Sequence, residues 1–188
     1  MSIFISIASY QDPLLVSTIW SAYSNACNKK DLIFSICDQS DNPVKINELP
    51  FAQQIKYDHV DPLFAKGPCW ARHRAQSFYA AEEYFLQIDS HTQFLPDWDI
   101  LFIESLSKIE ALGSHDNYFN KPIITSYPRG FEVVDFEKGL FSLHSGDKHT
   151  QVITYREDSI FSRGSFSRQI GMPTKHSEIT HAFLMAAG

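Results

Sequence analysis

An apolar run, Tyr84 to Ile88, stops on Asp89, Ser90 and His91, so a carboxylate, a hydroxyl and an imidazole fall within three residues. Asp89 and His91 are two apart, and on an extended chain both side chains project to the same side. Carboxylate oxygens suit a hard dication, and imidazole is accepted best by Mn²⁺ and the later transition metals. Asp89 and His91 are therefore the candidate metal ligands. The pair supplies two ligands at most, and water, a distant residue or a nucleotide diphosphate must supply the rest. The structural alternative is a strand-end Asp that caps a loop beside a packed His.

Three other groups could meet the same ligand. Gly67-Pro68 opens a helix, and Arg72 and Arg74 follow closely, so free N–H groups, the helix dipole and guanidinium forks add up to an anion site. Surface ion pairing is the alternative for both arginines. Ser9, Tyr10, Asp12 and Asp38 fall in turn-rich stretches behind apolar runs, where a carboxylate can accept from a base N–H or a ribose hydroxyl. Turn chemistry explains Ser and Asp there equally well. Trp98 and Asp99 stand in the first turn of a later helix, placed to contact a sugar or else to serve as core Trp and helix-start Asp.

The elements that must position these groups read as alternating strands and helices. Ile3 to Ala8, Leu32 to Cys37 and Tyr84 to Ile88 are short runs suited to buried parallel strands, and Ile55 to Val60 is a further strand. Helices are expected over Leu14 to Cys27, Cys69 to Glu83 and Asp97 to Leu112, with Asp97 as N-cap of the last. Strand, helix, strand predicts a βαβ unit with its loops on one sheet edge, and ligands collect beyond the C-terminal ends of such strands. Ile123 to Tyr127 reads as another strand. Phe131 to Phe136, Leu140 to His144, Gln151 to Tyr155 and Ile160 to Phe166 read as antiparallel ribbons. His144, His149, His176 and His181 lack metal spacing and are read as structural.

The 188 residues suit a single domain, 1–188, with a nucleotide-binding half, 1–95, and an acceptor-side half, 96–188. A formal net charge of -6, without a Lys/Arg cluster, argues against nucleic acid as a partner. Cys27, Cys37 and Cys69 form no CxxC, so neither a disulfide framework nor a zinc knuckle is expected, and a reducing cytoplasm is the expected location. No run approaches a membrane span. The chain stops within a small-residue apolar stretch, His181 to Gly188, and a C-terminally shortened chain is expected.

Taken in order, SIASYQDP, CDQSDNP, KGPCWAR, LQIDSH, TSYPRGF and the terminal AAG resemble a GlcNAc-transferase family. That family includes the cytoplasmic enzymes that modify hydroxyproline on a ubiquitin-ligase subunit. The likeness covers nearly the whole chain, and KGPCWAR with LQIDSH is its specific part. It implies a GT-A fold, a mixed α/β sheet that binds a nucleotide sugar across its C-terminal edge. It also implies that Ser9, Tyr10, Asp12 and Asp38 hold uridine, Arg72 the nucleotide or its diphosphate, and Asp89 with His91 an Mn²⁺ or Mg²⁺ ion. The reaction so implied moves GlcNAc from UDP-GlcNAc to a hydroxyl on a protein or glycan, with retention at the anomeric carbon. The family pattern continues beyond Gly188 into an acceptor-side region with a further metal ligand. The alternative expectation is thus a UDP-sugar-binding module with little catalysis. A metal-dependent phosphohydrolase ranks third, because the closely spaced carboxylates of a two-metal site are missing.

Overall fold

The computed structural model describes residues 1–113, 123–124, 130–135, 140–143, 151–154 and 165–168. Its elements in chain order are β1 (Ile3–Tyr10), α1 (Leu15–Asn25), β2 (Leu32–Gln39), β3 (Ile55–Val60), α2 (Pro68–Gln76), β4 (Tyr84–Asp89), α3 (Trp98–Gly113), β5 (Phe131–Asp135), β6 (Leu140–Leu143), β7 (Gln151–Thr154) and β8 (Ser165–Arg168). They fall in two compact units divided after Thr125. The second unit holds two antiparallel pairs, β5 with β6 and β7 with β8, as the ribbon reading expects. The mixed α/β class is the one read from the sequence.

The first unit is built on a parallel sheet of order β3-β2-β1-β4. β1 sits in the interior because every residue from Ile3 to Ile7 is fully buried, which an edge strand would not allow. Its two faces differ in residue size, and that difference sorts the helices. Ser6 pairs in register with Ser35 and Ala8 with Cys37, so one face presents small side chains. There α2 lies close, with Ala71 and Ala75 packed on Cys37 and with the Ser35 hydroxyl donating to the Ala75 carbonyl at 2.7 Å. The opposite face carries Ile5, Phe34 and Ile36. Phe34 meets the Phe51 ring, which stacks on Tyr23 of α1 at 3.8 Å between centroids. Each fully buried Ile or Phe contributes about 1.5–3 kcal/mol relative to exposure, so this two-sided burial is the main force holding the strands level at their C-terminal ends.

One helix ends well short of expectation. α2 stops at Gln76 rather than Glu83. Ser77 caps it, and Tyr79 turns down to meet Phe4 and Phe85 edge-on at 5.3 and 5.7 Å. Aromatic burial on the sheet therefore outcompetes helix continuation, and Phe78 is left 39% exposed. At α3, Asp97 has φ 61°, and the helix begins at Trp98. Ile123 and Ile124 are described and lie outside any strand, and the remainder of that expected strand is outside the described residues. So are His144, His149, His176 and His181, together with most of Ile160 to Phe166.

Candidate functional site

Parallel pairing brings the ends of β1, β2 and β4 to one sheet edge. Tyr10 lies beside Gln39, Ser9 beside Asp38, and Ala8 beside Asp89. Alternation along the strands then decides what faces what. Tyr10, Gln39 and Asp89 share the α2 face, whereas Ser9 and Asp38 share the α1 face.

A cavity of about 450 Å³ opens on the α2 face, lined by Ala8, Ser9, Tyr10, Gln39, Pro62, Ala65, Gly67 and Pro68. Gly67 adopts φ 91° and ψ 174°, a conformation few L side chains tolerate, and thereby turns the chain into α2 with Pro68 at its start. One turn further on, Arg72 reaches Asp89, with Nη2 donating to Oδ1 at 3.3 Å. Both side chains remain open to solvent, at 36% and 64%. An exposed pair of this kind stabilises a fold by at most about 1 kcal/mol, so both members are available to a ligand. Arg74 is different. Its guanidinium forms a fork with Asp58 at 2.6 and 2.8 Å and stacks over Trp70 at 5.0 Å, and the bond to Asp58 raises its pKa. It is committed to the fold.

Asp12 gathers the second cluster. Its Oδ1 accepts from the Leu14 N–H at 2.9 Å, and its Oδ2 accepts from the Ser90 hydroxyl at 2.6 Å and from His91 Nδ1 at 2.8 Å. Burial pushes the carboxyl up, but hydrogen bonds from Ser90, His91 and Leu14 outweigh it and hold Asp12 below its ordinary range. Because a carboxylate only accepts, Nδ1 is the donor to Asp12, and Nε2 is left outside that bond. Asp12 thus orients His91. It does not line the cavity.

Three expected contacts are corrected by the packing. Trp98 is 1% exposed, donates its indole N–H to the Ala22 carbonyl at 2.8 Å and packs on Phe94 at 4.6 Å. Asp99 is fully buried and accepts from the Cys27 and Asn28 N–H groups at 2.9 and 2.8 Å, which ties the end of α1 to α3. Neither side chain is placed to touch a sugar. Asp38 is 1% exposed, and its Oδ2 accepts from the Tyr57 phenol at 2.6 Å and from the Val44 N–H at 3.4 Å. Burial, then this bond to Asp38, pushes the Tyr57 pKa up, so the phenol stays protonated and fixes the turn after β2. The neighbouring Gln39 lines the cavity instead. An uncharged amide within a strand end gives no chemical signal by type, and only its alternation with Cys37 pointed to the α2 face.

The candidate metal pair is tested by its surroundings. Among the described residues no three His, Cys, Asp or Glu side chains gather to hold an ion. Asp89 and His91 fit a dication in donor type, and only one that brings further oxygens with it.

A family model described as Glycosyltransferase (GlcNAc) matches residues 41–188. The chain belongs to this family. Within the matched part lie Gly67, Arg72, Asp89 and His91, whereas Tyr10, Asp12 and Gln39 precede it. No curated protein sequence matches the chain. Among solved structures, S. aureus TarS 1–349 is similar at TM-score 0.43 and 13% identity, over 70% of this chain and 40% of that one. The same TarS portion in complex with UDP-GlcNAc matches at TM-score 0.43 and 13% identity, over 70% and 39%. A further TarS structure matches at 0.42 and 11%, over 70% and 24%. The chain therefore spans less than half the length of each. No helix among the described residues is long and apolar enough to cross a membrane.

Proposed function

We propose that this chain binds UDP-GlcNAc at the C-terminal edge of its sheet and serves its transfer, with retention, to a hydroxyl acceptor on a protein or glycan, hydroxyproline among them. The observation that carries the reading is the open Arg72–Asp89 pair one helical turn beyond the cavity and the N-terminus of α2. A guanidinium and free helix N–H groups favour a diphosphate, and a cavity between strand ends and a loop favours a flat base. Family membership supports the sugar.

Each side chain then has a task. Uridine occupies the cavity against Tyr10, Gln39 and the main chain of Ser9, while Asp38 and Tyr57 hold the adjoining turn. Arg72 swings from Asp89 to the diphosphate and holds its charge in place. Asp12 fixes the imidazole, which leaves Nε2 of His91 and the Asp89 carboxylate as the two candidate donors to an ion. Asp89 and His91 would hold a manganese or magnesium ion together with the diphosphate, and such an ion would supply positive charge to offset that of the departing UDP.

UDP release from UDP-GlcNAc with Mn²⁺ and a hydroxyproline peptide tests the reading. Asp89→Ala should lower the rate by about 10² to 10³, the usual cost of losing an electrostatic group at a reacting centre. Unchanged release by the variant would overturn the assignment. UDP binding without any release by the unaltered chain would select the second reading, a UDP-sugar-binding module.

A further inference from the structure

The cavity contains one feature that the transfer reaction does not explain. Gln39 is 3% exposed, and its side-chain Oε1 is buried without a hydrogen-bond partner. The other end of the same amide is occupied, with Nε2 donating to the Ser9 carbonyl at 3.0 Å. That bond fixes the orientation of the amide, because turning it over would set oxygen against oxygen at Ser9. An orphan acceptor in a folded protein is a standing penalty, and a buried polar group is seldom left so unless something else satisfies it.

What would satisfy it is narrowed by its neighbours. Gln39 and Tyr10 are register partners on adjacent strands and face the same side of the sheet, and both line the cavity. Tyr10 is 59% exposed, so most of its side chain is available to a ligand. A ring stacked on Tyr10 would bring its edge toward Oε1, which asks for a donor on that edge. Uracil carries such a donor at neutral pH, the N3–H between its two carbonyl groups. Cytosine carries a lone pair at that ring position.

Resting on the nucleotide-sugar reading, we propose that Gln39 is the base-selecting residue of this site, its Oε1 accepting from the ring N–H of a uracil stacked on Tyr10. The amide does so without charge, and selectivity comes from the bond between Nε2 and the Ser9 carbonyl that holds Oε1 in place. Ring nitrogens that are alkylated, or that carry a lone pair, leave Oε1 unsatisfied and are rejected.

Titration calorimetry of the 188-residue chain with UDP, N3-methyl-UDP and CDP, each with Mn²⁺, tests the assignment. The unaltered chain should bind UDP about tenfold or more tightly than either analogue, the cost of one unpaired buried acceptor. Gln39→Met should weaken UDP to the level of the analogues and bind all three within about threefold. Equal affinity of the unaltered chain for UDP and N3-methyl-UDP would overturn the inference and leave the nucleotide-sugar reading standing. So would a Gln39→Met variant that kept the preference. No binding of UDP at all would overturn that reading and this inference with it. The comparison of the three nucleotides on the unaltered chain needs no substitution, so a variant that fails to fold does not remove the test.

Discussion

At the scale of single residues, three donors converge on Asp12 and keep it ionised below the usual carboxylate range. A carboxyl whose pKa is lower in the folded chain than in the unfolded one contributes stability above its unfolded value, and loses it as the pH falls through the folded value. Below the ordinary 3.8 of Asp12 the chain should therefore lose stability that Asp12→Asn never had. Denaturant midpoints measured from neutral pH down to acid should converge for the two proteins, and parallel curves would contradict the role. Asp99 makes a different prediction. Asp99→Ala leaves the Cys27 and Asn28 N–H groups unpaired in a buried place, at a cost on the order of 3 kcal/mol. Urea unfolding reads that loss, and a change in stability below about 0.5 kcal/mol would show that Asp99 is not the tie between α1 and α3.

At the scale of elements, the start of α2 is the part most open to test. A Cβ added at Gly67 meets nothing within 4 Å, so Gly67→Ala isolates the backbone cost of φ 91° from any clash. We expect about 1–3 kcal/mol of lost stability, together with weaker UDP binding as the helix N-terminus shifts. A variant as stable as the parent would mean that the left-handed turn is not required.

The elements also show why some of the molecule was legible before its structure. β1, β2 and β4 were readable because apolar runs such as Ile3 to Ala8 and Leu32 to Cys37 are suited to burial on both faces. The strand ends then placed Asp89 at the C-terminal edge of the sheet from the sequence alone. The end of α2 was not readable, since it depends on Tyr79 meeting Phe4 and Phe85 across the sheet. The role of Asp99 is not legible in the sequence for the same reason. Its partners Cys27 and Asn28 lie more than seventy positions earlier, and a helix-start Asp looks alike whether it faces ligand or backbone. Gln39 was overlooked because an amide signals nothing until alternation along β2 and the cavity are seen together.

At the scale of the whole molecule, the described residues form two compact units, and the candidate site belongs wholly to the first. The family match runs from residue 41 to 188, so it takes in α2, β4 and the second unit while β1 and β2 precede it. On the proposed reading, base contacts and phosphate contacts would come from different stretches of chain, brought together by the parallel sheet and by bonds such as those of Ser90 and His91 to Asp12. Nucleotide binding should accordingly stabilise the sheet as a unit. Saturation with UDP at 100 times its Kd should add about 2.7 kcal/mol if the ligand binds only the folded chain.

The decisive measurement is calorimetric titration of UDP with and without Mn²⁺, on the unaltered chain and on a variant with both Asp89→Ala and His91→Ala. Binding that tightens about tenfold or more with manganese in the unaltered chain, and is indifferent to it in the variant, is the result expected if Asp89 and His91 hold the ion, whose charge would offset that of the diphosphate. Equal UDP affinity in all four titrations would place the diphosphate, or the ion, somewhere other than the end of β4.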